Sequence, residues 1–209
     1  MRQVDPSAQM LLDRFVAAHQ ALFSFSADIK VEAVSDARNE TTQASIVYMK
    51  PNKARVELKL AQGARIVSVC DGTTRLYSDG KKPQKLKAES GEKAIIETLS
   101  QTGLLIAPVF LYLTSRAAPV HTILPGATKV LGFTTPTTLD GVLVDVVAAD
   151  IETKDGKGRL VFSIGKDDRL LRRLEINTSN QRQSLSLVES YTNVKANPKL
   201  DKKAFLLAP

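Results

Sequence analysis

The stretch Phe25-Ser26-Ala27-Asp28-Ile29-Lys30-Val31-Glu32-Ala33 alternates apolar with polar residues throughout. A period of two places Phe25, Ala27, Ile29, Val31 and Ala33 on one face of a strand, with Ser26, Asp28, Lys30 and Glu32 on the other. This is a half-buried β-strand, long by the usual standard. Immediately upstream the period is different. Leu11, Phe15, Ala18 and Leu22 recur at helical spacing, while Asp13, Arg14 and Gln20 lie off that stripe. Asp5 is placed to cap the helix and Pro6 to open it. The reading is a helix over 5–23 that has something to pack on.

Downstream the strand rhythm persists. Strands are expected at 42–50, 55–60, 66–70 and 75–78, with Asp71-Gly72 and Asp79-Gly80 as turns. Residues 91–114 break the rhythm. Ile95, Ile96 and Leu99 share a helical face, Gly103 ends it, and Pro108 opens a further helical turn to Leu113. Residues 115–127, with Pro119, Pro125 and Gly126, read as loop. Strands return at 129–134, 142–152, 158–164, 170–178 and 185–191, with a last edge strand at 204–207. Asp140-Gly141, Asp155-Gly156 and Gly165-Lys166-Asp167-Asp168 supply turns between them. No linker rich in Ser, Gly or Pro separates the two strand groups. The expectation is one domain over 1–209: helix 5–23, strands within 25–90, helical insertion 91–114 and strands within 128–207. The fold class is mainly β with helices (α+β), built on a large antiparallel sheet of about 9–11 strands that curls at this size. Its concave face would be covered by the amphipathic helices.

Composition and motifs narrow the chemistry. One Cys among 209 residues excludes an intramolecular disulfide and a CxxC metal site. Cys70 alternates within a strand and reads as a small buried hydrophobe. His19 and His121 are the two histidines, and no GxSxG surrounds any Ser. No GxGxxG, P-loop, HExxH or calcium-loop motif is present, so no cofactor and no metal are expected. Asp167-Asp168 lies in a tight turn, where solvated turn chemistry is the default. The net charge of +7 raises nucleic acid as a partner. Yet Arg169, Arg172 and Arg173, like Lys81, Lys82, Lys85 and Lys87, cluster without the interleaved aromatics of single-strand binders. Nucleic acid is therefore not expected, and an anionic membrane surface stays open as a partner. The apolar run Gly103–Leu113 is too short to cross a bilayer, which needs about 20 residues. The first residues have no apolar segment of a signal peptide.

Several segments, in chain order, resemble the LolA/LolB-like superfamily of bacterial periplasmic lipoprotein carriers. The closest resemblance is to its uncharacterised branch of predicted periplasmic proteins. These segments are the junction Leu22-Phe23-Ser24-Phe25-Ser26-Ala27-Asp28; Val47-Tyr48-Met49-Lys50-Pro51-Asn52-Lys53-Ala54-Arg55-Val56-Glu57, similar to a "KPNKxR" turn; Val69-Cys70-Asp71-Gly72-Thr73-Thr74-Arg75-Leu76-Tyr77, similar to a "DGKTxWxY" hairpin; and the tail from Asn193 to Phe205. The turn Leu139-Asp140-Gly141-Val142 also suits the branch.

The resemblance implies an unclosed, curved antiparallel β half-barrel with a helical lid. It implies a non-enzymatic protein of the periplasm or cell envelope, its signal peptide cut away. Such a protein would hold a lipid, a lipoprotein acyl chain or another lipophilic ligand in the half-barrel. An envelope protein-interaction or sensor module on the same fold is the alternative. The apolar residues expected at the cavity, its lid or the adjoining core are Leu11, Phe15, Leu22, Phe25, Ile29, Val56, Leu58, Leu104, Ile106, Phe110, Leu111, Leu113, Leu160 and Phe162. Lys50 and Pro51 hold a family-motif position, where LolA itself has an Arg before the Pro. The aromatic that follows that Pro is replaced around Ala54, and the Trp of the hairpin motif is absent.

Overall fold

A computed structural model describes residues 3–36, 39–60, 62–87, 128–153, 156–179 and 184–206. The helical insertion expected at 91–114, the loop at 115–127 and His121 lie outside these residues. Thirteen strands are present among the described residues, against the smaller number expected. The extra ones are β1 (Gln3–Val4), β7 (Gln84–Lys87) and β9 (Thr137–Leu139), too short for a period of two to show. The others are β2 (Ser24–Ser35), β3 (Asn39–Met49), β4 (Lys53–Lys59), β5 (Arg65–Cys70), β6 (Thr74–Ser78), β8 (Thr128–Phe133), β10 (Val142–Thr153), β11 (Gly156–Gly165), β12 (Leu171–Ser179) and β13 (Ser184–Ala196). One α-helix, α1, spans Pro6–Ala21.

The strands hydrogen-bond in the order β1-β8-β10-β11-β12-β13-β2-β3-β4-β5-β6-β7, with β9 added on β10. That order is open, since β1 and β7 stand at its ends. The pairs from β8 through β10, β11 and β12 to β13, β9 with β10, and those from β3 through β4, β5 and β6 to β7 are antiparallel. β1 with β8 is parallel, a departure from the expected all-antiparallel sheet.

The chain divides into two compact units. Strands β2, β3 and β13 each contribute residues to both. The first unit holds α1, β1, β8–β12, the end of β2, the start of β3 and β13 up to Tyr191. Here the helix starts as the sequence requires. Asp5 Oδ1 accepts from the N–H groups of Ser7 (2.8 Å) and Ala8 (3.4 Å), satisfying two of the donors that a helix N-terminus leaves open. Ala8, Leu11, Leu12, Phe15, Val16 and His19 form the buried face of α1. The Phe15 ring lies 6.4 Å from that of Phe162 on β11.

The second unit holds most of β2 and β3, all of β4–β7, and the chain from Thr192. In its register Ile46 faces Val56, and Ala44, Leu58 and Ile66 follow one another across β3, β4 and β5. The opposite face of these strands carries Val47, Val67 and Val69, which pack with Phe205. The edge strand expected at 204–207 is replaced by a 3-10 turn at Lys202–Phe205. Asp201 caps it by accepting from the Lys203 N–H at 3.0 Å. The tail thus folds Phe205 onto the valines instead of extending along a sheet edge. At the β5–β6 turn Gly72 has φ +110°, a conformation that disfavours any side chain. Its carbonyl accepts from Asn52 Nδ2 at 2.7 Å.

Candidate functional site

The first unit holds a face whose burial changes steadily along its strands. In the register of β10–β13, Val147, Phe162, Leu174 and Glu189 stand in one rung. Two residues further along each strand, Ala149, Leu160, Ile176 and Leu187 form the next rung on the same face. A third follows with Ile151, Gly158, Thr178 and Leu185. Successive rungs lie ~7 Å apart, because each strand residue advances about 3.3–3.4 Å. The first rung is buried in all four positions. In the second, Leu160 and Ile176 are half-buried. In the third, Thr178 is exposed and Leu185 is 39% exposed.

The third rung lines a cavity of about 700 Å³. Its walls also carry two exposed ion pairs, Arg159 with Asp150 (3.3 Å) and Lys157 with Glu152 (3.6 Å). These residues flank the third rung in sequence and so point to the other face of the sheet. Gly158 leaves room in that rung, since a Cβ there would lie 3.2 Å from Thr178 Cγ2.

Two buried ionisable groups stand out in this unit. His19 Nδ1 donates to the Phe15 carbonyl at 2.8 Å, and its ring meets the Phe15 ring edge-on at 4.6 Å. Burial pulls its pKa down to about 4, so the imidazole is neutral at pH 7. Glu189 occupies a rung otherwise made of Val147, Phe162 and Leu174. Desolvation pushes its carboxyl up to about 7. Tyr191 Oη donates to Glu189 Oε2 at 2.7 Å, whereas Oε1 has no hydrogen-bond partner among the described residues.

In this unit Leu11, Phe15 and Phe162 are core, while Leu160 belongs to the graded face. In the second unit Leu22, Phe25, Ile29, Val56 and Leu58 are all buried. Ile29 and Leu58 also adjoin a cavity of about 490 Å³ whose polar lining includes Asp28, Gln43, Glu57 and Arg65. Lys50 and Pro51 sit at the β3–β4 turn, joined by a cis peptide, with the Lys50 N–H donating to the Phe23 carbonyl at 2.9 Å. Leu104, Ile106, Phe110, Leu111 and Leu113 lie outside the described residues.

The sequence reading passed over Ile176, Leu185, Leu187, Glu189 and Tyr191. The signal was there: from Leu185 to Tyr191 every second residue shares a face, and one of the four is an acid.

Cys70 is buried, its Sγ–H donates to the Asn52 carbonyl at 3.3 Å, and burial raises its pKa, the opposite of an activated thiolate. Among the described residues no group of three or more His, Cys, Asp or Glu could hold a metal ion. No helix among them is long and apolar enough to cross a membrane.

No protein-family model matches the chain, and no curated protein does. Solved structures do. The Mycobacterium tuberculosis lipoprotein LppX aligns with 94% of this chain and 100% of its own, at 14% identity and a TM-score of 0.56. MucB aligns with 98% of this chain and 64% of its own, at 15% identity and a TM-score of 0.59. MucB has also been solved in complex with MucA. A LolA superfamily protein from Nitrosomonas europaea matches more faintly, at 11% identity and a TM-score of 0.42, over 96% of this chain and 97% of its own. At such identities the likeness to LppX and MucB shows the fold alone. The chain spans less than two thirds of MucB.

Proposed function

We propose that the chain is a non-enzymatic carrier of the periplasm or cell envelope. It takes a lipid, a lipoprotein acyl chain or another lipophilic group on the graded face of β10–β13. The observation that carries this reading is the gradient itself. Apolar side chains run in register from a cavity of about 700 Å³ at Leu185, past half-buried Leu160 and Ile176, to a closed interior at Phe162. Each methylene moved from water to such a surface gains ~0.8 kcal/mol. A dozen therefore contribute about 10 kcal/mol before the costs of association, enough to hold a chain without specific bonds.

The chain is proposed to act as one domain over 1–209, because β2, β3 and β13 each serve both units. Its net charge of +7 favours approach to an anionic membrane surface.

The second reading, an envelope protein-interaction or sensor module, draws on the complex of MucB with MucA. One experiment separates the two. The purified chain is weighed under native and denaturing conditions, and the extracted solvent phase is analysed for lipid. A native mass excess matched by an extracted lipid supports the carrier. A lipid-free protein that takes up no added lipid supports the module.

A further inference from the structure

We infer that Glu189, with Tyr191 behind it, anchors a neutral carbonyl, an ester or amide, carried along the apolar length of the bound lipophile. The inference rests on the carrier reading of this same face. A glutamate is almost never fully buried unless paired. Glu189 is 0% exposed, and no cation pairs with it among the described residues. Its Oε2 accepts from Tyr191 Oη at 2.7 Å, and its Oε1 is buried with no hydrogen-bond partner among those residues. A buried polar atom left so carries a desolvation penalty that a ligand group can lift.

The position says which group. In register beside Glu189 stands Leu174, with Phe162 beyond it. Leu187 lies one rung toward the mouth and Leu185 two rungs, ~13 Å away. An apolar surround favours the neutral carboxyl, which keeps one O–H donor. With Oε2 already accepting from Tyr191, that donor on Oε1 calls for an uncharged acceptor, and a carbonyl oxygen supplies it. A charged head group belongs instead at the third rung, where Thr178 and Leu185 are exposed.

The test uses the full chain, stripped of lipid, and two probes of like length: hexadecyl acetate, which has an ester, and octadecane, which has none. Each is offered to the protein, the complex is separated by gel filtration, and retained probe is quantified by gas chromatography. The wild type is expected to retain the ester about ten-fold better than the alkane. Glu189→Leu is expected to lose that preference while octadecane uptake holds, and Glu189→Gln, which keeps a donor, to retain most of it. Should the leucine variant not fold, Glu189→Met, closer in shape, takes its place. Equal uptake of both probes by the wild type overturns the inference and leaves the carrier reading standing. A preference that survives Glu189→Leu does the same. Uptake of neither probe overturns both.

Discussion

Tyr191 Oη donates a 2.7 Å hydrogen bond to Glu189 Oε2, two residues away on the same face of β13. Among the described residues it is the one hydrogen bond of a carboxyl that stands in register with Leu174 and Phe162. Removing the hydroxyl leaves Glu189 buried with neither oxygen paired. Tyr191→Phe is expected to lower stability by about 1–3 kcal/mol in urea unfolding, with Glu189→Gln less affected by the same change. Additive losses in the double variant would show that the two side chains do not interact.

Glu189 and His19 set opposing pH dependences. The Glu189 carboxyl is raised from 4.5 to about 7, so the folded state binds more protons than the unfolded one between those values. Its contribution is full below pH 4.5 and is lost as pH rises through 7. The His19 imidazole is lowered from 6.5 to about 4, so its contribution is full above pH 6.5 and is lost as pH falls through 4. Each spans about 3 kcal/mol, and they nearly cancel between pH 4.5 and 6.5. Stability of Glu189→Gln minus that of wild type is therefore expected to rise from pH 4.5 to 7. A difference that stays level with pH contradicts the burial of an ionisable Glu189.

The rungs also differ in what they cost to truncate. Phe162→Ala removes a ring packed against Phe15 and is expected to cost about 3–5 kcal/mol. Leu160→Ala, one rung toward the mouth and half-buried, is expected to cost under about 2 kcal/mol and to weaken lipophile uptake instead. Denaturation and probe retention, measured on both variants, check this division. Equal stability losses at the two positions would remove the gradient.

At the start of α1, Asp5→Ala is expected to cost about 1 kcal/mol, because the Ser7 and Ala8 N–H groups lose their acceptor. Thermal unfolding of the single variant measures it, and an unchanged midpoint argues against the cap.

Much of the fold was legible because its strands are long and alternate cleanly. The pattern at Phe25–Ala33 located β2, and Leu160, Phe162 and Ile164 located β11. Asp5-Pro6 marked the helix start within a residue. The tail was misread because Ala204, Phe205 and Leu206 look like strand, whereas the decisive feature is the capping Asp201 before them. The candidate site was legible only in part. Phe15 and Phe162 followed from periodicity, but hydrophobicity alone does not separate a core residue from one lining a mouth. That distinction lives in register, which joins Leu160 to Ile176 and Leu187 across three strands. Glu189 went unread because an acid in a strand is usually assigned to the solvent face. His19 adjoins the apolar stripe of α1, but whether it is structural or at the surface depends on what α1 packs against.

The most direct test of the central claim is photo-crosslinking with an acyl ester that carries a diazirine midway along its chain, followed by peptide mapping of the adducts. Adducts on Leu160, Ile176, Leu185 or Leu187 are the expected result, suppressed by excess unlabelled ester and by Ile176→Asp. Adducts confined to other parts of the chain, or none that unlabelled ester displaces, would contradict a lipophile site on β10–β13.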